Sequence, residues 1–323
     1  MPPSPILSII IVNYNVKDYI LNCIQSIQER IDAQRTPYEV IVSDNGSADG
    51  SVQTIREKFP WVHIIENNAN LGFGKANNAG ATQARGKVLF FLNPDTLIVT
   101  GIEAMCLYLS ENKDIGLMGS TVVEQDNRIH VFYKPSIDSV CLQLIYIIPF
   151  LGRIHMVMSS MVFKSHVTKG AIFDVRYLYG CAMMFRTDAY ASIHGFDEQI
   201  FMYLEEFDVC KRLRENNYKI QFYPRAEIIH YGGQSVKQAS SYSMIPTMVK
   251  SQQLLLKKHF HHSWRIRFLF EAMIELKKLI GISLSTGIDL LRGRKRHAHG
   301  ELMQWHIHYL KNMLHVLQEG NKE

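Results

Sequence analysis

Leu7-Ser8-Ile9-Ile10-Ile11-Val12, followed at once by Asn13-Tyr14-Asn15, is the stretch on which the fold turns. A run this rich in β-branched residues reads as a strand buried on both faces. Working outward, Asp18 is placed to cap a helix carrying Ile20, Ile24, Ile27 and Ile31 on one side. Glu39 to Ser43 reads as a second strand, Asp49 onward as a short helix and Val62 to Ile65 as a third strand. Gly74 to Arg85 reads as a helix and Val88 to Leu92 as a fourth strand. This alternation predicts parallel neighbours joined by right-handed crossovers. Ligands in such sheets bind beyond the carboxyl ends of the strands, so the loops after Val12, Ser43, Ile65 and Leu92 are the ones to inspect.

The chain has 323 residues, 47% hydrophobic and 20% charged, which suits an α/β domain with a sizeable core plus an appendage. The net charge of +5 is uneven: residues 245–323 carry +7 and the remainder −2. The linear pattern divides the chain into a catalytic-type domain, 1–244, and a basic, amphipathic helical extension, 245–323. Five cysteines (Cys23, Cys106, Cys141, Cys181, Cys210) form no CxxC pair. That argues against a structural zinc site and a disulfide framework, and points to a reducing, cytoplasmic setting. The start lacks a basic n-region and is read as leading into a strand; no apolar run approaches the ~20 residues of a membrane span.

Four segments hold residues with chemical potential. Asp44, within Asp44-Asn45-Gly46-Ser47-Ala48-Asp49-Gly50-Ser51, ends the second strand, where a carboxylate can accept the N3–H of a pyrimidine. The same residues also serve as ordinary turn and cap formers. Leu92-Asn93-Pro94-Asp95 ends the fourth strand. Asp95 can hold a divalent cation that neutralises a departing diphosphate, with Asn93 offering a neutral oxygen; an Asn-Pro-Asp turn is the simpler reading. Glu205, Glu206 and Asp208 crowd a helix start, where the dipole favours anions, behind an aromatic and apolar run. A carboxylate there can act as general base toward a hydroxyl. His230, before Gly232 and Gly233, ends another strand, where a lone histidine is ordinarily a hydrogen-bonded structural residue.

Taken in order, these motifs resemble the inverting glycosyltransferases of family 2, with the GT-A fold, and within them the rhamnosyltransferase-like branch. That branch's DNxSxDGS loop matches Asp44 to Ser51, its NxGF…NxG segment Asn70 to Gly80, and its LNPD Leu92 to Asp95. Its GFDExFFxYxEDxDxCxRL motif matches Gly195 to Leu213, and its HxGGxS matches His230 to Ser235. The resemblance implies a Rossmann-like mixed, mainly parallel sheet flanked by helices, here with a C-terminal helical extension. It implies a nucleotide-sugar donor linked to UDP or dTDP, a lipid-linked or glycan acceptor, and a divalent metal, Mg²⁺ or Mn²⁺. Asp44 and Asn45 would read the base, flanked by Asn13, Tyr14 and Asn15; Lys75, Asn78 and Asn93 would lie along the nucleotide. Asp95 and His230 would hold the metal. Glu206, beside Glu205 and Asp208, would deprotonate the acceptor for a single in-line displacement. Two departures stand out: Glu205-Glu206 replaces the usual Glu-Asp, lengthening the base by one methylene, and Asn93 replaces the first aspartate of the wider fold's Asp-X-Asp.

In the tail, Leu269, Met273, Leu276 and Ile280 recur at helical spacing beside Lys277 and Lys278, ahead of Arg292-Gly293-Arg294-Lys295-Arg296. This fits either a helix at a bilayer interface, making peripheral contact with the cell membrane's inner face, or an ordinary packed helix with a solvated basic loop. Nucleic acid is not expected, because aromatic residues are not interleaved with the cations of the body. The absence of GxGxxG after the first strand excludes a nicotinamide dehydrogenase, and the absence of a Gly-rich basic loop there excludes a nucleotidyltransferase. A catalytically silent, sugar- or lipid-binding relative on the same scaffold is the remaining alternative.

Overall fold

The structure, a computed structural model, describes residues 4–124, 129, 139–232, 243–291 and 297–319. Gly233, Ser235 and the 292–296 basic cluster therefore lie outside the described residues. The chain forms two compact units: Met1–Phe132 with Phe163–Gln238, and Tyr133–Val162 with Ala239–Glu323. The second thus draws in a segment that the linear division at 244/245 leaves with the first.

The first unit begins β1 (Leu7–Asn13), α1 (Lys17–Arg30), β2 (Tyr38–Asp44), α2 (Ser51–Lys58), β3 (His63–Glu66), α3 (Phe73–Gln83) and β4 (Val88–Leu92). It continues with β5 (Thr96–Thr100), α4 (Ile102–Glu111), β6 (Ile115–Val123), β7 (Phe173–Asp174), β8 (Ala182–Arg186), α7 (Thr187–Ser192), α8 (Glu205–Glu215) and β9 (Lys219–His230). The strands make one sheet in the order β3-β2-β1-β4-β8-β6-β9-β5, with β7 beside β9. The first four pair in parallel, as the alternating pattern requires, whereas β8 runs antiparallel to both β4 and β6.

Successive residues of β1 serve opposite faces. Ile9 and Ile11 join Ile20, Ile24 and Ile27 of α1 and Met105 and Leu109 of α4 in one core. Ile10 joins Phe91, Phe185, Tyr190, Phe196 and Leu213 in the other. This two-sided burial is why the strand reads as a continuous apolar run.

One local expectation changes. Asp18 does not cap α1; Val16 precedes that helix without a side-chain cap, and Asp49 Oδ2 accepts the Lys17 N–H at 2.8 Å. A residue distant in sequence thus supplies the acceptor that local reading sought next door. The strand that His230 ends, β9, runs from Lys219 through Pro224 without a break. A register shift against β6 between Ser120 and Thr121 accommodates that residue, which has no N–H to give the ladder.

The second unit holds α5 (Val140–Ile147), the first part of α6 (Pro149–Lys169), α9 (Ile245–His259), α10 (Trp264–Leu291) and α11 (His297–Glu319). Polar ties run through it: Gln143 Nε2 donates to Glu271 Oε1 at 2.9 Å, and the Tyr309 hydroxyl to Gln252 Oε1 at 2.8 Å. Buried Glu275 lies 2.7 Å from His306 Nδ1. Among the described residues no single helix is long and apolar enough to cross a membrane.

Candidate functional site

The tips of β1 and β2 lie in register, Asn13 opposite Asp44. Asn13 Nδ2 lies 2.7 Å from Asp44 Oδ1, 2.7 Å from Ser51 Oγ and 3.0 Å from Ser47 Oγ. Asp44 Oδ2 accepts the backbone N–H groups of Gly46 and Ser47 at 3.0 and 2.9 Å. Gly46 takes φ +78°, which a side chain would resist, and so brings its N–H back onto the carboxylate. Asp44 is thereby a fixed, buried carboxylate whose Oδ1 keeps capacity for a further donor, while Oδ2 is filled by its two backbone N–H groups.

Its neighbours mostly build the cradle. Asn15 accepts the Ala48 N–H through Oδ1 at 2.8 Å, and Tyr14 is half-buried beside it. Asn45 donates to Gly72 O at 3.2 Å and accepts from Asn67 at 3.0 Å, tying three loops together. Asp49 joins two helix starts, its Oδ1 accepting Ser51 N–H at 3.0 Å and its Oδ2 that of Lys17.

At the start of α3, Lys75 lies 3.7 Å from Glu198, both half-exposed. Asn78, expected along the nucleotide, has its carboxamide engaged within the protein. Its Oδ1 accepts from the Tyr190 hydroxyl at 2.6 Å and Phe196 N–H at 2.9 Å, while Nδ2 donates to Phe196 O at 2.9 Å. It latches α3 to the loop before α8. Gly72, at φ +82°, meets the same loop; a Cβ there would lie 2.3 Å from Phe201 O.

At the tip of β4, the Asn93 backbone is clamped: its N–H donates to Cys181 O at 2.9 Å and its carbonyl accepts the Thr96 hydroxyl at 2.7 Å. β5 then pairs Thr96 with His230 of β9, and Tyr231 N–H donates to Asp95 O at 2.9 Å. The result sets His230 Nε2 3.3 Å from Asp95 Oδ1, both side chains buried. That nitrogen has no hydrogen-bond partner among the described residues. Two ligating atoms converge here without a mutual hydrogen bond, an arrangement that fits a shared cation. Among the described residues no group of three or more His, Cys, Asp or Glu could hold a metal.

Tyr179 neighbours this pair, and Gly180 neighbours Glu206 of α8. The Tyr179 ring meets His230 edge-on, centroids 5.6 Å apart. Burial, then the charges of Cys181, Asp95 and Glu206, raise the Tyr179 hydroxyl above its ordinary pKa, so it stays a neutral donor. A Cβ on Gly180 would stand 3.6 Å from Glu206 Cβ and 3.9 Å from its Oε2. Burial pushes the Cys23 thiol up to about 12 with help from Asp95, so no thiolate competes beneath the site.

α8 is entered through Tyr203 and Leu204, at φ +71° and +72°. Two successive side-chain-bearing residues in the left-handed region are strained, and such strain is concentrated at functional sites. Glu205 and Glu206 follow, buried in the first turn of the helix. Asp208, expected among the catalytic carboxylates, is fully buried, and its Oδ2 accepts from Arg212 Nε at 2.8 Å. That ion pair within one helix gives it a structural task. The sequence assigns no role to Tyr179 and Gly180, which lie just before the strand that starts at Ala182. A surface hollow of about 470 Å³, lined by Lys87, Arg186 and Asp188, sits at the opposite end of β4.

The arrangement of an acidic loop after β2, a β4-tip aspartate and an acidic helix start accompanies a direct sequence match. The family model of glycosyl transferase family 2 matches residues 8–193, more than half of the chain. The chain belongs to glycosyl transferase family 2. A second model, the N-terminal domain of galactosyltransferase, matches residues 163–233, the stretch from α6 through β9. This family 2 glycosyltransferase is 24% identical over 309 residues to N-acetylglucosaminyl-diphospho-decaprenol L-rhamnosyltransferase of Mycobacterium tuberculosis, covering 91% of this chain and 97% of that one. It is 24% identical over 233 residues to rhamnosyltransferase WbbL of Escherichia coli K12, covering 69% and 82%. Its fold is shared with a mannosyltransferase from Pyrobaculum calidifontis solved with GDP-Man and Mn²⁺, at a TM-score of 0.56 and 16% identity, over 99% of this chain and 89% of that one. The enzyme is thus a rhamnosyltransferase-like glycosyltransferase with a mixed, mainly parallel sheet and a helical C-terminal region.

Proposed function

We propose that the enzyme moves a rhamnosyl- or hexosyl-type sugar from a UDP- or dTDP-linked donor to a hydroxyl of a lipid-linked or polysaccharide acceptor, with inversion. The observation that supports this reading is the pairing of Asp95 with His230 at the tips of β4 and β9, while Glu206 lies beside Gly180, next to the Tyr179 that meets His230. The mycobacterial relative, whose acceptor is a decaprenyl diphosphate sugar by name, supports the lipid-linked class. An acceptor of that class would bring the enzyme to the membrane's inner face as a peripheral protein.

In this reading Asp44 accepts the pyrimidine N3–H, from a carboxylate already immobilised by Asn13, Gly46 and Ser47. Asp95 and His230 hold a divalent cation, which when bound offsets the charge that develops on the diphosphate. Glu206 takes the proton of the acceptor hydroxyl as its oxygen attacks the anomeric carbon. The C1–O bond to phosphate breaks as the new C1–O bond forms on the opposite face, which inverts the centre.

Nucleotide release from a panel of UDP- and dTDP-sugars, with and without Mn²⁺, tests the reading. Glu206→Gln is expected to lower turnover by about 10²- to 10⁴-fold while donor binding persists. Wild-type turnover by that variant would remove Glu206 as the base. His230→Ala is expected to raise the Mn²⁺ concentration needed for half-maximal turnover by about tenfold or more; an unchanged requirement would remove His230 as a ligand.

A further inference from the structure

α6 carries an unusual outer surface. Phe150, Leu151, Ile154, Val157, Met158, Met161 and Val162 are all exposed, with Phe150 at 73%, Met161 at 66% and Met158 at 61%. At about 100° per residue these seven fall within an arc of about 140° on one side of the helix. Arg153 and Lys164 fall along one edge of that arc, both exposed, and His155 and His166 along the other. On the opposite side Phe163 meets Phe173 and Phe222 edge-on, at 5.7 and 4.9 Å between centroids, although Met156 on that side is also exposed, at 49%. Leu144 of α5 and Ile148, the residue that caps its end, are likewise half-exposed.

Charge along this stretch has one sign. From Ser139 to Phe173 there is no Asp or Glu, whereas Arg153, Lys164 and Lys169 are present. An apolar arc with cations at its margins suits an interface where hydrocarbon lies below and anionic headgroups lie beside. A protein partner would need an acidic rim around an apolar centre. Cys141–Ile147 and Phe150–Lys169 together have the length and composition of a membrane-crossing segment, but they are bent by 116°. A bend that sharp suits a hairpin lying in one leaflet more than a straight span.

We propose that the α5–α6 hairpin is a membrane-docking element, which seats the Phe150–Val162 arc in the interfacial region of a bilayer containing anionic lipid. The inference is independent of which sugar or acceptor the catalytic unit takes. It also differs from the expectation placed on the C-terminal tail, whose stripe of Leu269, Met273, Leu276 and Ile280 in α10 is half-exposed.

Sedimentation of the full-length protein with vesicles tests it, using phosphatidylcholine alone and phosphatidylcholine mixed with phosphatidylglycerol. The expected result is pelleting with the anionic vesicles, weakened by high salt, and reduced about tenfold or more in the double variant Met158→Asp/Met161→Asp. Both substituted positions are exposed, and retention of helical circular dichroism and of the thermal midpoint checks that the fold survives. A Leu269→Asp/Leu276→Asp variant probes the α10 stripe in parallel. The proposal is overturned if the wild type stays in the supernatant, or if the α6 variant pellets as well as the wild type while the α10 variant is released. It is also overturned if light scattering shows a dimer that the α6 variant dissociates without any vesicle binding, since a second copy would then cover the arc.

Discussion

Asn13 Nδ2 lies 2.7 Å from Asp44 Oδ1, so the first two strands of the sheet are tied at their tips by a buried amide–carboxylate hydrogen bond. Removing the amide would leave a buried anion short of a donor, which costs about 1–3 kcal/mol. Asn13→Ala is therefore expected to lower the unfolding free energy by that amount and to weaken nucleoside diphosphate binding. Asn13→Asp should be worse, because it sets two carboxylates against each other. Denaturant midpoints and calorimetric titration of UDP check both. Unchanged midpoints would show that the bond contributes nothing.

Asp208 and Arg212 make a different kind of pair. Asp208 is fully buried, and Arg212 also donates to Ile193 O. Breaking a buried pair by removing one partner costs about 3–5 kcal/mol. Asp208→Ala is expected to lower stability on that scale yet keep most of its turnover number at a temperature where it remains folded. The double variant with Arg212→Ala should lose less than the sum of the singles, since no lone charge is left. A stable but inactive Asp208→Ala would instead assign that carboxylate to the chemistry.

Asp49 supplies a pH signature. Burial works to raise its carboxyl, but hydrogen bonds from Ser51 and from the Lys17 N–H outweigh it and hold the group below the ordinary aspartate range. A depressed carboxylate contributes stability above its unfolded value, about 3.9, which is lost as pH falls through the lower folded value. Thermal midpoints followed below about pH 4 should therefore fall less steeply in Asp49→Asn than in the wild type. Parallel acid limbs would deny Asp49 this role.

Much of the architecture was legible because buried parallel strands leave continuous apolar runs. Leu7 to Val12 and Val88 to Leu92 each lie within one strand, and the loops after Ser43 and Leu92 fall at sheet tips as topology demands. What failed was local reading of polar residues that act at a distance. Asp18 looked like a cap by position, while Asp49 reaches Lys17 through the fold. Asn78 carried the motif, but its amide is spent on Tyr190 and Phe196, more than a hundred residues on. Tyr179 and Gly180 gave no periodic signal, since their place depends on how β8 is entered. The apolar arc of α6 was hidden for another reason: composition reports how hydrophobic a segment is and not which side of it meets the core.

The Thr96–His230 pairing of β5 with β9 has a consequence for assembly. Asp95 is delivered early in the chain and His230 only when the last strand, β9, has taken its place between β6 and β5. A slip of one residue in that ladder would turn the imidazole to the opposite side. If Asp95 and His230 hold a cation as proposed, its affinity would report late maturation: Asp44 lies at the tip of β2, early in the chain, whereas the Asp95–His230 pair needs β9 in register.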